Sequence, residues 1–341
     1  MRITAVPESL GEVVALSAGR IPLPLVQTFQ AALLARAIMV ATRVGLFEAL
    51  ARGSGSRESI AQQCGCHAGA TGHLLEALVG SGYVERDVLG YALGPVARQW
   101  LLTSSPHSVR HKVLFQFVEW RAMDGFETYL REGRSSPLHE QMCPDEWTDY
   151  QRAMQGFAQS RGPEIVNVVP LPAAARDMLD VGGGHGAIAC AFCRRHPELR
   201  ATVLDLPEAI AAAAPLLASE GLGERVVHRA ADARSAVLGD SCWDIVYVGQ
   251  LTHHLGEAEN RRLFLRAARS LRPGGVLVIC DAVPGRPSQA SCLADLFGAV
   301  ASGSAAWSAD CMRGWMRTAA LRYRRVPLGS GVQALYLGTK G

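Results

Sequence analysis

Residues 178–192 read MLDVGGGHGAIACAF: an aliphatic run, a cluster of glycines, and then an alanine-rich segment. The aliphatic run is typical of a buried strand, and the alanine-rich segment is typical of a helix. Glycine allows a tight turn and lets a ligand approach the backbone closely. A helix that begins just after such a loop directs its free N–H groups and its positive dipole end at the ligand. The stretch therefore predicts a strand, loop and helix that bind a nucleotide-like small molecule.

Strands and helices alternate along the chain beyond Arg176. After the run at 178–181, further short apolar runs occur at 201–204, 225–227, 245–248 and 276–280, mostly with helical segments between them. This alternation predicts an α/β domain with a buried parallel sheet. Ligands of such sheets bind beyond the carboxyl ends of the strands, so we expect the chemistry there.

The N-terminal part of the chain follows a different pattern. From Phe29 to about Leu102 the spacing of apolar residues is helical, and the segment closes with two short strand-like runs around Gly90. This is a winged-helix outline, which is a DNA-binding fold in many proteins. Its second paired helix, 73–78, has no Lys or Arg, and phosphate contacts dominate DNA affinity. We therefore expect a packing or dimerisation module here.

These patterns predict three segments. Residues 1–105 form the helical, winged-helix dimerisation domain, 106–170 form an aromatic-rich helical connector, and 171–341 form the ligand-binding α/β domain. The connector either has its own core or helps to line the acceptor pocket.

Composition favours small-molecule chemistry. The 341 residues are 49% hydrophobic and 19% charged with a net charge of +3, which predicts neither a nucleic-acid nor a membrane partner. The N-terminus lacks the pattern of a signal peptide, and we expect a cytoplasmic protein. The nine cysteines indicate reduced thiols. The pairs Cys64/Cys66 and Cys190/Cys193 are expected to pack and not to bind a metal.

Two cofactors fit the glycine loop taken alone. Gly182, Gly184 and Ala187 also satisfy a dinucleotide fingerprint. Asp205, at the end of the second strand, would accept hydrogen bonds from ribose hydroxyls in either case. Asp232, which follows the third strand, is placed to meet an adenine amino group. A nicotinamide oxidoreductase and a protein that uses S-adenosylmethionine both remain possible on these residues.

Further motifs carry a family resemblance. The segments 180-DVGGGHG-186 and 270-SLRPGG-275 resemble class I S-adenosylmethionine-dependent methyltransferases. With 204-LDLP-207, the winged N-terminal module and a His-containing segment after the fourth strand, the chain resembles small-molecule O-methyltransferases of the caffeate and hydroxyindole type and their bacterial natural-product relatives.

The resemblance implies a fold, a cofactor and an assembly. It implies a Rossmann-like methyltransferase domain with a mostly parallel seven-stranded sheet, a helical winged-helix dimerisation domain before it, and a homodimer. The implied cofactor is S-adenosyl-L-methionine. The cofactor-binding residues implied by the matching positions are Asp180, Gly182, Gly184, Gly186, Asp205, Leu206, Asp232, Ala233 and Gln250.

The catalytic residues are implied at the histidine pair in 250-QLTHHL-255. A histidine titrates near neutrality and suits a general base that takes the proton of an acceptor hydroxyl. The resemblance assigns this role to His253, with His254 as the alternative and Asp281 as the carboxylate that orients the base. Both imidazoles could instead cap the following helix. The family's second orienting Glu has no clear equivalent, and Asp310 is a weak substitute.

The predicted function is transfer of a methyl group from S-adenosylmethionine to a hydroxyl of an aromatic or polyketide-like small molecule. Trp120, Met154 and Phe157 lie where relatives shape the acceptor pocket, and His185 replaces the usual small hydroxyl residue of the loop. The missing Glu leaves open N- or C-methylation, hydroxylation or cyclisation by a cofactor-binding relative. A DNA-binding regulator that senses the cofactor is the non-enzyme alternative.

Overall fold

The computed structural model describes residues 4–282, 288–304, 306–329 and 333–341. Within these ranges the chain divides into two compact units, Met1–Phe117 and Val118–Gly341. Each unit has its own elements and its own core.

The first unit is mainly helical. Its helices are α1 (Leu10–Ser17), α2 (Leu23–Leu25), α3 (Ala31–Arg43), α4 (Leu46–Ala51), α5 (Arg57–Gln63), α6 (Ala68–Gly80), α7 (Pro95–Trp100) and the start of α8 (Arg110–Met123). Strands β1 (Val84–Asp87) and β2 (Gly90–Leu93) form the antiparallel hairpin expected around Gly90. Its core is made of apolar side chains from the helices and the hairpin, including Phe47, Leu75, Leu78 and Leu93.

The segment Leu23–Arg43 is one continuous helix of 21 residues, in which a π-helical stretch joins α2 to α3. Its mean hydropathy of 1.5 and its length would allow it to cross a membrane, although such a helix near an N-terminus is weak evidence for that. Apolar side chains on it are exposed, with Phe29 at 65%. The helix therefore presents an apolar surface.

The second unit is an α/β domain. After α8 its helices are α9 (Phe126–Glu132), α10 (Pro144–Val168), α11 (Ala187–Arg195), α12 (Pro207–Ser219), α13 (Glu257–Ser270), α14 (Gln289–Ser302) and α15 (Ala309–Thr318). Its strands are β3 (Asp177–Val181), β4 (Arg200–Asp205), β5 (Val226–Ala230), β6 (Trp243–Gly249), β7 (Leu271–Ala282), β8 (Leu321–Pro327) and β9 (Gln333–Lys340).

The strands form one seven-stranded sheet in the order β5-β4-β3-β6-β7-β9-β8. The pairs from β5 to β7 are parallel, and β9 pairs antiparallel with both of its neighbours. The predicted fold class is confirmed, and the five apolar runs named from the sequence are the five parallel strands. The antiparallel strands β8 and β9 complete the sheet.

The sheet is buried on both faces. Met178 and Val203 pack into one apolar cluster with residues of α10 and α11, whereas Leu179 and Leu204 pack into a second cluster with residues of α13 and α15. Neighbouring residues of a strand point to opposite faces, so a strand covered on both sides reads as an uninterrupted apolar run. The carboxyl ends of β3, β4, β6 and β7 meet at one edge of this sheet.

All nine cysteines are free thiols, and Cys190 and Cys193 are buried in the apolar cluster beneath α11. Among the described residues no group of three or more His, Cys, Asp or Glu side chains is arranged to hold a metal ion.

Candidate active site

The glycine loop connects β3 to α11 in a left-handed backbone. Gly182, Gly184 and Gly186 have φ angles of 71°, 46° and 71°, which side chains with a Cβ rarely adopt. A Cβ on Gly184 would lie 2.5 Å from Oε1 of the buried Gln151. The loop thus requires glycine for its conformation, and at Gly184 the side chain of Gln151 from α10 packs directly against it.

Asp205, at the end of β4, holds this loop in place. Its Oδ2 accepts a hydrogen bond from the Gly184 amide at 2.7 Å, and its Oδ1 accepts one from the Leu206 amide at 2.8 Å. Burial raises the pKa of Asp205 even though both bonds act in the opposite direction. Gly184 is also held through its carbonyl, to which Nε2 of His228 on β5 donates a hydrogen bond of 2.8 Å. The role of His228 was not anticipated from the sequence.

Asp180, two residues before the loop, has a polar atom without a partner. Its side chain is buried, and Oδ1 has no hydrogen-bond partner among the described residues. Burial and the neighbouring Asp205 raise the pKa of Asp180 to about 7. A ligand that brings a hydroxyl or ammonium donor would satisfy this oxygen. The loop, Asp180 and Asp205 therefore fit a cofactor with ribose hydroxyls and an amino acid group, such as S-adenosylmethionine.

The remaining predicted cofactor residues lie at the same edge. Asp232 follows β5 and forms an ion pair of 2.8 Å with Arg234, and the Ala233 carbonyl accepts a hydrogen bond from Arg266 at 2.6 Å. Gln250 follows β6 with a φ of 53°, and its side-chain amide donates to the Cys280 carbonyl at 3.1 Å. The side chains of Asp232 and Gln250 and the carbonyl of Ala233 thus have partners within the protein.

The histidine pair lies in a single 3-10 turn, Thr252–His254, just beyond β6. Nδ1 of His253 lies 2.7 Å from Oδ1 of Asp281 on β7, and since the carboxylate accepts, Nδ1 carries the proton. This leaves Nε2 of His253 with a lone pair, and the side chain is 24% exposed. The geometry is that of a general base held by a carboxylate.

His253 and Asp281 each stabilise the charged form of the other. Burial alone would lower the pKa of His253, but the charge and hydrogen bond of Asp281 outweigh it, so this pKa is raised. Burial would raise the pKa of Asp281, but the charge and hydrogen bond of His253, with further donors, lower it. Asp281 is therefore ionised at neutral pH.

His254 has different partners. Its Nδ1 forms a hydrogen bond of 2.9 Å with Oγ of Ser302. Burial first, and then the neighbouring imidazoles of His253 and His139, lower its pKa well below the ordinary value. Neither imidazole caps the following helix, because α13 is capped at Gly256 by Glu259.

Asp310 does not replace the second orienting acid. It is exposed at the start of α15 and pairs with Arg313 at 2.5 Å. The substitute suggested by the sequence is therefore wrong, since its carboxylate is engaged away from the base.

A cluster of aromatic rings lies beside His254. The ring of His139 lies 5.0 Å from that of His254, 5.6 Å from that of Trp147 and 5.1 Å from that of Tyr150. Burial raises the pKa of Tyr150, with Asp205 as the next cause, so the phenol lies within electrostatic reach of the cofactor loop. Trp147 and Tyr150 stood out in the sequence only as aromatic residues of a helix, and nothing in the sequence singled out His139.

The predicted acceptor residues lie on α8 and α10. Trp120 and Phe157 are 36% and 51% exposed, and Met154 is half-buried. His185 is buried, and its Nδ1 accepts from the Ala187 amide at 3.1 Å at the start of α11. Burial lowers the pKa of His185 to about 4, so it is neutral at physiological pH.

One side chain connects the cofactor loop to the histidine turn. A Cβ on Gly182 would lie 3.1 Å from Cδ2 of Leu251, the residue before the turn. The strands that carry the two features are neighbours, since Val181 pairs with Val248. The loop and the imidazole of His253 thus belong to one site.

The chain matches two family profiles. An O-methyltransferase domain matches residues 132–320, and an O-methyltransferase dimerisation domain matches residues 26–104.

The curated relatives include several bacterial methyltransferases. The chain is 30% identical over 262 residues to 3-amino-4-hydroxybenzoate 4-O-methyltransferase of Streptomyces cremeus, which covers 72% of this chain and 69% of the relative. It is 28% identical to 3-hydroxy-5-methyl-1-naphthoate 3-O-methyltransferase of Streptomyces sahachiroi, with 72% of each chain covered. It is also 28% identical to phenazine-1-carboxylate N-methyltransferase of Pseudomonas aeruginosa, with 72% of this chain and 75% of the relative covered.

Solved structures share the fold. Mitomycin 7-O-methyltransferase superposes with a TM-score of 0.85 at 23% identity, covering 97% of this chain and 100% of that one. Human N-acetylserotonin methyltransferase, solved in complex with S-adenosylmethionine, superposes with a TM-score of 0.81 at 18% identity, covering 99% of each chain.

The family match decides between the two cofactors left open by the glycine loop, in favour of S-adenosylmethionine. The chain belongs to the family of S-adenosylmethionine-dependent O-methyltransferases of the natural-product type, with an N-terminal dimerisation domain.

Proposed function

We propose that this enzyme methylates a hydroxyl group on an aromatic small molecule of natural-product biosynthesis, with His253 as the general base. The observation that carries the proposal is the bond of 2.7 Å between Nδ1 of His253 and the buried Asp281, which leaves Nε2 free to accept a proton. A phenol attacks a methyl donor poorly until it loses its proton, so a positioned base accelerates the reaction.

The cofactor would be held by the glycine loop, Asp180 and Asp205, with Asp232 and Gln250 at the neighbouring strand ends. When bound, S-adenosylmethionine supplies a methyl group activated by a sulfonium leaving group. The chain itself binds and orients: Asp205 and His228 fix the Gly184 peptide, and the Asp180 carboxylate offers an acceptor to the ligand.

An aromatic acceptor is supported by the rings beside the base. His139 packs edge-to-face on His254, and Trp147 and Tyr150 pack on His139 and on each other, which gives a surface on which a planar ring packs well. The relatives that act on hydroxybenzoate and hydroxynaphthoate agree with this class of acceptor. We also propose that Trp120, Met154 and Phe157 contribute to the acceptor pocket.

Nitrogen methylation is the second candidate, because one relative is named as a phenazine-1-carboxylate N-methyltransferase. A ring nitrogen already carries a lone pair and does not need a base. The two candidates therefore differ in how strongly activity depends on His253.

The test is a screen of hydroxylated and aminated aromatic acids with the purified enzyme and S-adenosylmethionine, read by mass spectrometry for methylated product and S-adenosylhomocysteine. His253→Ala should lower kcat by about 10²- to 10⁴-fold on the hydroxylated acceptor, with cofactor affinity nearly unchanged. His254→Ala serves as the comparison. Full activity of His253→Ala would remove the base assignment, and product methylated at nitrogen would favour the second candidate.

We further propose that the enzyme is a homodimer built on the N-terminal domain. The dimerisation profile and the exposed apolar side chains of the helix Leu23–Arg43 support this, since isolated apolar patches of this kind are usually covered by a partner.

A further inference from the structure

The orienting carboxylate of the proposed base has a partner that the sequence did not suggest. Asp281 is 1% exposed, and its Oδ1 bonds His253 and the Ala282 amide. Its other oxygen, Oδ2, accepts a hydrogen bond of 2.5 Å from Oγ1 of Thr252, which is fully buried. The threonine precedes His253 directly, so one turn supplies both side-chain partners of the carboxylate.

The carbonyl of Thr252 is itself held by two other elements. Nδ2 of Asn260, a fully buried residue of α13, donates to this carbonyl at 2.9 Å. Nε1 of Trp307, in the segment before α15, donates to the same carbonyl at 2.9 Å. Asn260 also donates to the Leu255 carbonyl at 2.9 Å, so the turn is tied at both of its ends.

Trp307 is packed as well as bonded. Its ring lies 5.1 Å from that of Trp315 on α15, in an edge-to-face arrangement. Trp307 also lies three residues before Asp310, in the segment where the family's second orienting Glu has no clear equivalent. A neutral indole in this segment therefore restrains the histidine turn.

We propose that Thr252 is a positioning residue: its hydroxyl holds the Asp281 carboxylate so that the opposite oxygen points at Nδ1 of His253, in place of a second acidic residue. Asn260 and Trp307 hold the backbone of Thr252 in the position that this bond requires. The inference rests on the proposed role of His253 as the base.

The hydroxyl also affects the charge on Asp281. A donor to a carboxylate stabilises its negative charge, so removing the donor concentrates the charge on the oxygen that faces His253. The ionisable groups that face His253 are Asp281, His254 and His139. Only Asp281 carries a charge at neutral pH, because burial holds the pKa of both other imidazoles below the ordinary value.

The experiment compares Thr252→Val, which keeps the shape and removes the hydroxyl, with Thr252→Ser, which keeps the hydroxyl. The titration of His253 is followed by NMR of isotopically labelled histidine, with the signal assigned by its loss in His253→Gln. We expect the pKa of His253 to rise by about half a unit in Thr252→Val and to stay near the wild-type value in Thr252→Ser.

Kinetics are measured on the same proteins. The kcat of Thr252→Val should fall by about tenfold, the loss expected for one hydrogen bond to a charged group, with KM for S-adenosylmethionine unchanged. In an Asp281→Asn background, Thr252→Val should cause no further loss, because the hydroxyl acts through the carboxylate. Thr71→Val is the matched control: Thr71 is also a buried threonine, and its hydroxyl donates to the carbonyl of His67, the N-cap residue of α6, at 3.0 Å.

An unchanged titration of His253 in folded Thr252→Val would overturn the proposal, whatever the activity. An additive loss in the Asp281→Asn background would overturn it as well. A shifted titration together with full activity of His253→Gln would instead overturn the general-base assignment and leave the coupling of Thr252 to His253 standing. Should Thr252→Val not fold, Thr252→Cys carries the same test, because a thiol is a weak donor of similar volume.

Discussion

Asp281→Asn should lower kcat at pH 7 by about 10²- to 10³-fold, within the range that a positioned general base contributes. Asp281 is 1% exposed and accepts hydrogen bonds from His253, Thr252 and the Ala282 amide. Asparagine keeps the shape but has one acceptor oxygen and no charge. The variant thus loses both the orientation of the imidazole and the charge that stabilises its protonated form.

The pH dependence of this variant has a definite sign. In the wild type the carboxylate outweighs burial and raises the pKa of His253. Because the base must be neutral to accept a proton, kcat/KM should rise with pH above about 6.5 in the wild type. In Asp281→Asn the charge is absent and burial alone lowers the pKa of His253. The rise of kcat/KM should therefore move to below about pH 6.5, and the plateau value of kcat/KM at high pH should fall.

Stability should change in a defined pH window. The raised pKa of His253 contributes stability that is present below its unfolded pKa and is lost as the pH rises through the folded value. The lowered pKa of Asp281 contributes stability that is present above its unfolded pKa and is lost as the pH falls through the folded value. The pair therefore contributes most between about pH 4 and 6.5.

Urea denaturation of both proteins at pH 5.5 and pH 8.5 measures this contribution. We expect Asp281→Asn to lower the free energy of unfolding by about 2–3 kcal/mol at the lower pH and by less at the higher one. The reasoning is refuted if kcat stays within about threefold of the wild type and the pH profile does not move.

Asp244→Asn is the matched control for general damage. Asp244 is also buried, but it lies at the opposite end of β6, where it bonds the Arg176 amide at 2.7 Å and Arg272 at 2.8 Å. This variant should lose stability while keeping the wild-type kcat and the wild-type rise of kcat/KM with pH. An equal loss of activity in both variants would assign the effect to instability.

Two further predictions concern the cofactor loop and the dimer. Gly184→Ala should weaken S-adenosylmethionine binding by at least about tenfold in calorimetry, because the φ of 46° is strained for alanine and the added Cβ would displace the buried Gln151 side chain, 2.5 Å away. Gly80→Ala, in open space, should bind S-adenosylmethionine normally, and equal affinities of the two variants would contradict the prediction. Phe29→Asp should yield monomers in light scattering, since that side chain is 65% exposed on the dimerisation domain, whereas Leu130→Asp, at 67% exposure in the second unit, should remain dimeric. A dimeric Phe29→Asp protein would contradict the proposed interface.

The sequence was most informative where local chemistry determines structure. A strand buried on both faces must be apolar along its length, so all five parallel strands were predicted from the sequence. The glycine loop was predicted as well, because few other residues adopt a positive φ. The position of Asp205 at the end of its strand followed from the same regularity. The antiparallel strands β8 and β9 were not located from the sequence. The edge strand β8 has no continuous apolar run, since Leu321–Pro327 is mostly polar and exposed.

The candidate site was predicted only in part, because the contacts within it join residues that lie far apart in the chain. His253 and Asp281 were named, but not the bond between them or the hydroxyl of Thr252 on the other carboxylate oxygen. Asp310 looked like a possible second acid, and packing placed it at the surface beside Arg313.

The sequence by itself determined the succession of the five parallel strands, the glycine loop and the residue types available for the chemistry, because backbone conformation and burial restrict each position locally. Only the tertiary structure decided which of those groups meet. His228 reaches the Gly184 carbonyl across β4, and Trp307 reaches the Thr252 carbonyl from a loop 55 residues further along the chain. Such hydrogen bonds depend on how the sheet twists and how the helices pack, so the local sequence around each residue does not predict them.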